Sequence, residues 1–126
     1  MRVSAKTAPR LDAGPVLTKA AVRAAERLGL SGRMLGQIIG VSEATVSRWR
    51  HGEGALPADS KAFQLAALFV RAYRSLDAIV GGDEAVARAW IVNPNEALAA
   101  RPVDRMLTPQ GLVDVAAYLD ARRAPL

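Results

Sequence analysis

The chain has 126 residues, of which 51% are hydrophobic, 5% aromatic and none cysteine, and it carries a formal net charge of +5. That length and balance give room for one domain, or two small units sharing a core, and exclude a disordered tail, a disulfide scaffold, a thiol nucleophile and a cysteine-ligated metal. No apolar run is long enough to cross a bilayer, and the opening MRVSAKTAPR lacks the apolar segment of a secretory signal, so no membrane association and a reducing, cytoplasmic setting are expected.

Residues 1–14 hold Pro9, Gly14 and scattered charge without periodicity, and read as a mobile arm. Pro15 suits the first turn of a helix whose apolar face is Val16, Leu17, Ala20, Ala21, Ala24 and Leu28, stopped by Gly29. Ser31 caps a short helix from Gly32 to Ile39. Gly40 makes a turn that calls for a positive φ. Ser42 caps a third helix to about His51, ended by Gly52. Residues 52–58 form a loop and mark a boundary. Asp59 or Ser60 then caps a long helix to about Val80, with the stripe Phe63, Leu65, Leu68, Phe69, Ala72, Leu76, Ile79 and Val80. After Gly81-Gly82, Asp83 caps a helix through Trp90 to Val92, and Asn93-Pro94-Asn95 turns the chain. Short helices are expected near Glu96–Ala99 and Pro102–Leu107. Thr108-Pro109 is an N-cap with an N1 proline, opening a last helix to about Arg123. Abundant Ala, Leu and Val with six aromatics and no alternating pattern predict an all-α fold.

The stretch from Leu30 to Gly52 is the most informative. Two capped helices joined by a glycine turn have the pattern of a DNA-reading helix-turn-helix. Val46 and Trp49 fall on one side of the third helix and can pack with Leu35, Ile38, Ile39 and Val41. Glu43, Ala44, Ser47, Arg48 and His51 fall on the other, toward a groove. Gly36 is small enough for close helix contact. Arg48 can fork to guanine, Ser47 can reach a base or a phosphate, and Glu43 can accept from cytosine. Ser42, Thr45, Arg50 and Arg33 are better placed for phosphates. Charge agrees: residues 1–57 hold nine Lys/Arg against four Asp/Glu, and residues 58–126 hold eight of each. Double-stranded operator DNA is therefore the expected partner of the first half, read by a homodimer because one short helix binds weakly. The wide stripe of the long helix is the candidate dimer contact.

Catalysis finds no support. The single histidine, His51, lies on the recognition helix without a cysteine or a carboxylate cluster, so no metal and no cofactor are expected. No phosphate-binding loop is present, and Gly81-Gly82 follows a helix rather than a strand. Ser31, Ser42 and Thr108 have cap duties that account for them.

The segment GQIIGVSEATVSRWRHG resembles the Xre/Cro-type helix-turn-helix. Ala89-Trp90-Ile91-Val92-Asn93-Pro94-Asn95-Glu96-Ala97-Leu98, then Arg101-Pro102 and Leu107-Thr108-Pro109-Gln110-Gly111, resemble the toxin-binding domain of MbcA/ParS/Xre antitoxins. The resemblance implies an antitoxin of a type II toxin–antitoxin system. Such a protein would sterically inhibit a RES-domain toxin that consumes NAD and repress its own operon. It implies a helix-turn-helix unit at 15–57 and a helical dimerisation and toxin-binding unit at 58–126. It also implies that Asn93, Asn95, Arg101 and Thr108 form or orient the toxin-binding surface, and that the tail with Tyr118, Leu119, Arg122, Arg123 and Leu126 approaches the toxin's pocket. Two departures stand out: Ala99-Ala100 follow the Ala-Leu where the family often has glycine, and Arg50 stands where many such helices have Glu. From the residues alone, Trp90, Ile91 and Leu98 read as core, and Asn93, Asn95, Thr108 and Pro109 as caps and turns. The alternatives that stay open are a plain repressor whose C-terminal helices only dimerise, and a protein inhibitor with a vestigial helix-turn-helix.

Overall fold

Side-chain caps set where the helices begin. The hydroxyls of Ser31, Ser42, Ser60 and Thr108 and the carboxylate of Asp83 accept from the backbone N–H three residues on, at Met34, Thr45, Phe63, Gly111 and Val86. Each satisfies a first-turn donor that has no partner within its helix. The computed structural model describes residues 13–124, so most of the expected arm, and Leu126, lie outside the described residues. Those described form α1 (Ala13–Arg27), α2 (Gly32–Ile39), α3 (Glu43–Arg50), α4 (Lys61–Ile79), α5 (Glu84–Val92), α6 (Pro102–Arg105) and α7 (Pro109–Arg123). Among them there is no strand, only an isolated antiparallel bridge between Asn95 and Ala100. The protein is all-α, and no described helix is long and apolar enough to cross a membrane.

The core is built around α4. Ala66, Phe69, Val70, Ala72, Ser75 and Leu76 of this helix are buried. It packs against α1 and α2 on the N-terminal side and against α7 on the C-terminal side. Into the same continuous cluster go Leu35, Ile38 and Ile39 of α2, Val46 of α3, Ile91 of α5, and Leu112, Val115 and Leu119 of α7. Of the stripe expected to supply a dimer contact, Phe69, Ala72 and Leu76 are buried within the chain, Phe63, Leu65, Leu68 and Val80 are half-buried, and Ile79 is 41% exposed.

The loop between α3 and α4 is no slack linker. Thr18, buried in α1, donates to the Gly14 carbonyl at 2.6 Å and accepts from Leu56 N–H at 2.9 Å. Leu56 is itself buried. Gly14 carries no side chain because the Leu56 carbonyl occupies the place a Cβ would need. This contact corrects the expected start of the first helix. Ala13 and Gly14, expected at the end of the arm, are already helical, Pro15 falls in the first turn as expected, and Gly14 is a packed helical residue.

Three more local expectations are corrected. Val16 was assigned to the apolar face of α1, yet it is 64% exposed. Residues 96–99 form a turn, not a helix. The Asn95 side chain accepts from Leu98 N–H at 3.1 Å, the bridge to Ala100 closes the loop, and Ala99 sits at φ 58°. Finally, α6 ends at Arg105 rather than near Leu107. Gly111 of α7 then lies against the Arg105 carbonyl with no room for a Cβ. That approach gives the Thr-Pro-Gln-Gly segment a physical reason: Thr108 caps, Pro109 fits the first turn, and Gly111 lets the preceding helix end on top of it.

Polar ties hold the helices in register. Asp120 of α7 accepts from Ser75 Oγ and from Arg71 Nε of α4, both at 2.6 Å. The donated Ser75 hydroxyl, with Arg71 and Arg123 adding to it, holds the Asp120 carboxyl below the usual carboxylate range. Arg88 of α5 donates to the Arg27 and Glu26 carbonyls at 2.9 and 3.1 Å, covering the free C-terminal end of α1. Because the folded pKa of Asp120 is lowered, its contribution is complete above the ordinary carboxylate pKa of about 4 and fades as pH falls through the lowered value. Asp120→Asn should therefore cost about 1–2 kcal/mol at neutral pH. Urea unfolding at pH 7 and pH 3 checks this, and the gap to the parent chain should narrow at the lower pH.

Candidate functional site

The turn between α2 and α3 is fixed by two glycines. Gly40 adopts φ 82° and its N–H bonds back to the Gly36 carbonyl. A Cβ on Gly36 would stand 2.5 Å from the Val41 carbonyl, so α3 can start close against α2 only if residue 36 has none. Val46 is fully buried and Trp49 half-buried, which turns the other side of α3 outward. Glu43, Ala44, Ser47, Arg48, Arg50 and His51 are exposed, as is Ser42 at the cap, while Thr45 is half-buried.

That outer face is polar and internally ordered. Ser42 Oγ lies 2.9 Å from Thr45 Oγ1, and Thr45 Oγ1 accepts from Arg48 Nη2 at 3.2 Å. Arg48 is thereby drawn along the helix toward its N-terminal turn. His51 Nδ1 donates to the Ser47 carbonyl at 2.8 Å. Glu43 at the first turn and Arg48 and Arg50 at the last are matched to the helix dipole. Arg33 is exposed on α2. Arg50 instead bends back, and its guanidinium lies within 3.4 Å of where a Cβ on Gly32 would be. The structure thus gathers Ser42, Glu43, Ala44, Thr45, Ser47, Arg48 and His51 on one face and sets Arg50 toward α1 and α2.

Most of the second predicted set have structural duties. Asn95 closes its turn and Thr108 caps α7. Arg101 forms a two-pronged pair with Asp104 at 2.8 and 2.9 Å, and this guanidinium holds the Asp104 carboxyl below its ordinary range. Asn93 is exposed at the end of α5. Leu119 must be withdrawn from the contact residues: it is 2% exposed and lies inside the core between α4 and α7. Tyr118 stacks on Trp90 with ring centroids 6.2 Å apart and planes 19° from parallel, and Arg122 covers the Tyr118 ring at 5.3 Å. Arg123 reaches back to Ser75 Oγ at 3.5 Å. Leu126 falls outside the described residues. The sequence reading missed Trp90 as the base of this ladder and Arg105 as a clamp that donates to the Leu98 carbonyl at 2.7 Å and pairs with Asp114. Neither has a local signal, since Trp90 and Tyr118 lie on separate helices. Among the described residues no three His, Cys, Asp or Glu come together to hold a metal ion.

These two surfaces correspond to two known domain types. The model of the antitoxin Xre-like helix-turn-helix domain matches residues 8–71, and that of the antitoxin Xre/MbcA/ParS C-terminal toxin-binding domain matches residues 75–124. The chain belongs to the Xre-type antitoxins. Among solved structures, it is similar to the MbcA antitoxin in the M. tuberculosis MbcT–MbcA toxin–antitoxin complex. The TM-score is 0.65 and the identity 26%, over 86% of this chain and 94% of that one. Among curated proteins none matches. The antitoxin is accordingly a helix-turn-helix regulatory protein rather than an enzyme. Its two domain matches meet inside α4, between residues 71 and 75, and not in the preceding loop.

One departure from the family has a visible consequence. Ala99 occupies a left-handed conformation, at φ 58°, directly after the Ala97-Leu98 pair, where the resemblance implied glycine. A side chain there is strained, and glycine relieves the strain while adding freedom to the unfolded chain. Ala99→Gly should raise stability by up to about 1 kcal/mol. A higher urea midpoint with unchanged slope is the expected result, and a lower midpoint would show the turn to be unstrained.

Proposed function

We propose that this antitoxin, in the cytoplasm, binds a RES-domain toxin that consumes NAD and blocks it sterically, and that it represses its own operon as a homodimer on double-stranded DNA. The observation that carries the reading is the joint presence of the two antitoxin domains in one chain, supported by a structural likeness that covers 94% of the MbcA chain. The work divides by charge. The first half, to about residue 57, holds all the excess positive charge and grips duplex, and residues 58–126, balanced in charge, grip the toxin.

On the DNA side, the outer face of α3 enters the major groove. Ser47 and Arg48 meet base edges, and Ser42, Thr45 and Arg33 meet phosphates. The tether from Arg48 to Thr45 favours this because a guanidinium held near the start of the helix loses less freedom on forking to guanine. Arg48→Ala should weaken operator binding by about 1–3 kcal/mol and relax specificity at one base pair. Fluorescence anisotropy with operator variants checks it, and an equal loss on every sequence would place Arg48 on phosphate.

On the toxin side, the α5–α6 turn with Asn93 and Asn95, the Arg101–Asp104 pair, the Thr108 cap and the Trp90–Tyr118–Arg122 ladder frame the contact, with the last residues approaching the toxin's pocket. Chemistry by the antitoxin is not required; occlusion suffices. Because Leu119 belongs to the core and Asp120 to the α4–α7 tie, an informative truncation removes residues 122–126 only. Co-expression with the product of the adjacent gene should give a stable complex, restored growth and preserved NAD with the full chain, and reduced rescue with the truncated one. Full rescue by a folded truncation would remove the plug from the mechanism, and no complex with the full chain would overturn the antitoxin–toxin pairing.

A further inference from the structure

A groove of about 510 Å³ runs between α1 and α4, and no residue of α3, α5, α6 or α7 lines it. Its floor is apolar, with Val16 and Ala20 on α1 and Val70 and Tyr73 on α4. Its rim is cationic. Lys19, Arg23 and Arg27 stand four residues apart on α1, about 6 Å per step, and Arg74 stands on α4. Asp77 is the one acid among the lining residues. Val16 is 64% exposed, the most open of the large apolar side chains, although it continues the i, i+4 row of Ala20 and Ala24 that elsewhere enters the core. The described residues therefore leave an apolar trough uncovered and fence it with positive charge.

We propose that this groove seats an amphipathic helix of a partner protein whose apolar stripe is edged with Asp or Glu. Small residues at Ala20 and Ala24 let a third helix approach closely, as in helix-in-groove recognition. Cations at i, i+4 and i+8 on one wall match carboxylates at the same spacing on the incoming helix. Duplex DNA fits less well, because phosphates would engage the rim and leave Val16 against water. A second copy placed by a two-fold axis would bring two cationic rims together. The unseen residues 1–12, with three Lys/Arg and one Asp, carry the same sign as the rim. The groove lies apart from the residues assigned to the toxin and to the operator, so this inference and the proposed function stand or fall separately.

The test uses the full chain and a labelled synthetic helix with a leucine stripe edged by glutamate. Its lysine-edged counterpart and a scrambled glutamate peptide of equal charge serve as controls. Anisotropy at physiological salt should show saturable binding of the glutamate-edged helix and binding at least about tenfold weaker for both controls. The double variant Arg23→Glu/Arg74→Glu should weaken the first by about tenfold or more, as should Val16→Asp. All three positions are on the surface, and circular dichroism confirms that the variants keep their helices. Equal binding of the scrambled peptide, or none of the designed helix, overturns the proposal. So does a double variant that loses affinity for a short duplex as steeply as for the peptide, which makes the groove a nucleic-acid surface. A double variant that instead abolishes self-association in light scattering makes it a contact between copies and likewise overturns it.

Discussion

Everything in this fold leans on one helix that has no side of its own. α4 buries Phe69, Val70, Ala72 and Leu76 against neighbours from both ends of the chain. Its early part floors the helix-turn-helix, and its later part backs α7. Burying a side chain of that size is worth about 1.5–3 kcal/mol, so the two halves draw on one common source of stability. Thr18 anchors the loop that precedes α4, and Arg88 covers the end of α1 from the far side. The second of these crosses the line at which the sequence suggests a division.

Within that frame the recognition helix can be short. Eight residues would not hold a helix in water. α3 persists because Ser42 caps it, Val46 is locked in the core, and the Gly36–Val41 approach leaves its start little freedom. The outer face is then relieved of structural work and can carry polar groups whose only constraint is reach. The C-terminal surface is organised differently. There, residues such as Asn95, Arg101 and Thr108 spend their hydrogen bonds on turns and caps, and the groups that face outward include Asn93, Val92, Leu107, Val113 and the edge of the Trp90–Tyr118–Arg122 ladder.

The legible parts of the sequence were those governed by near neighbours. The Ser31, Ser42, Ser60, Asp83 and Thr108 caps form, Gly40 takes the positive φ its turn required, and the inward and outward faces of α3 fall as their spacing implied. Errors arose where distant groups decided the outcome. Gly14 looked like the end of an arm because nothing local shows that Leu56 will press on it. Residues 96–99 have the composition of a helix, but the Asn95 side chain and the bridge to Ala100 close a turn first. Val16 fits an apolar period, yet no described element covers it. Leu119 sits near a free end in the sequence and at the centre of the packing in space. The aromatic ladder was invisible for the same reason, since its rungs come from two helices brought together only by the fold.

The anchoring of Leu56 on Thr18 has an implication for how the molecule comes apart. A chain cut in the loop would not yield two smaller folded pieces: the front fragment would lose the surface against which Leu35 and Ile39 are pressed, and the rear fragment would expose Val70 and Phe69 to water. The shared core predicts a single cooperative melting transition, with damage at either terminus felt at the opposite one through loss of the native population rather than through any change in shape.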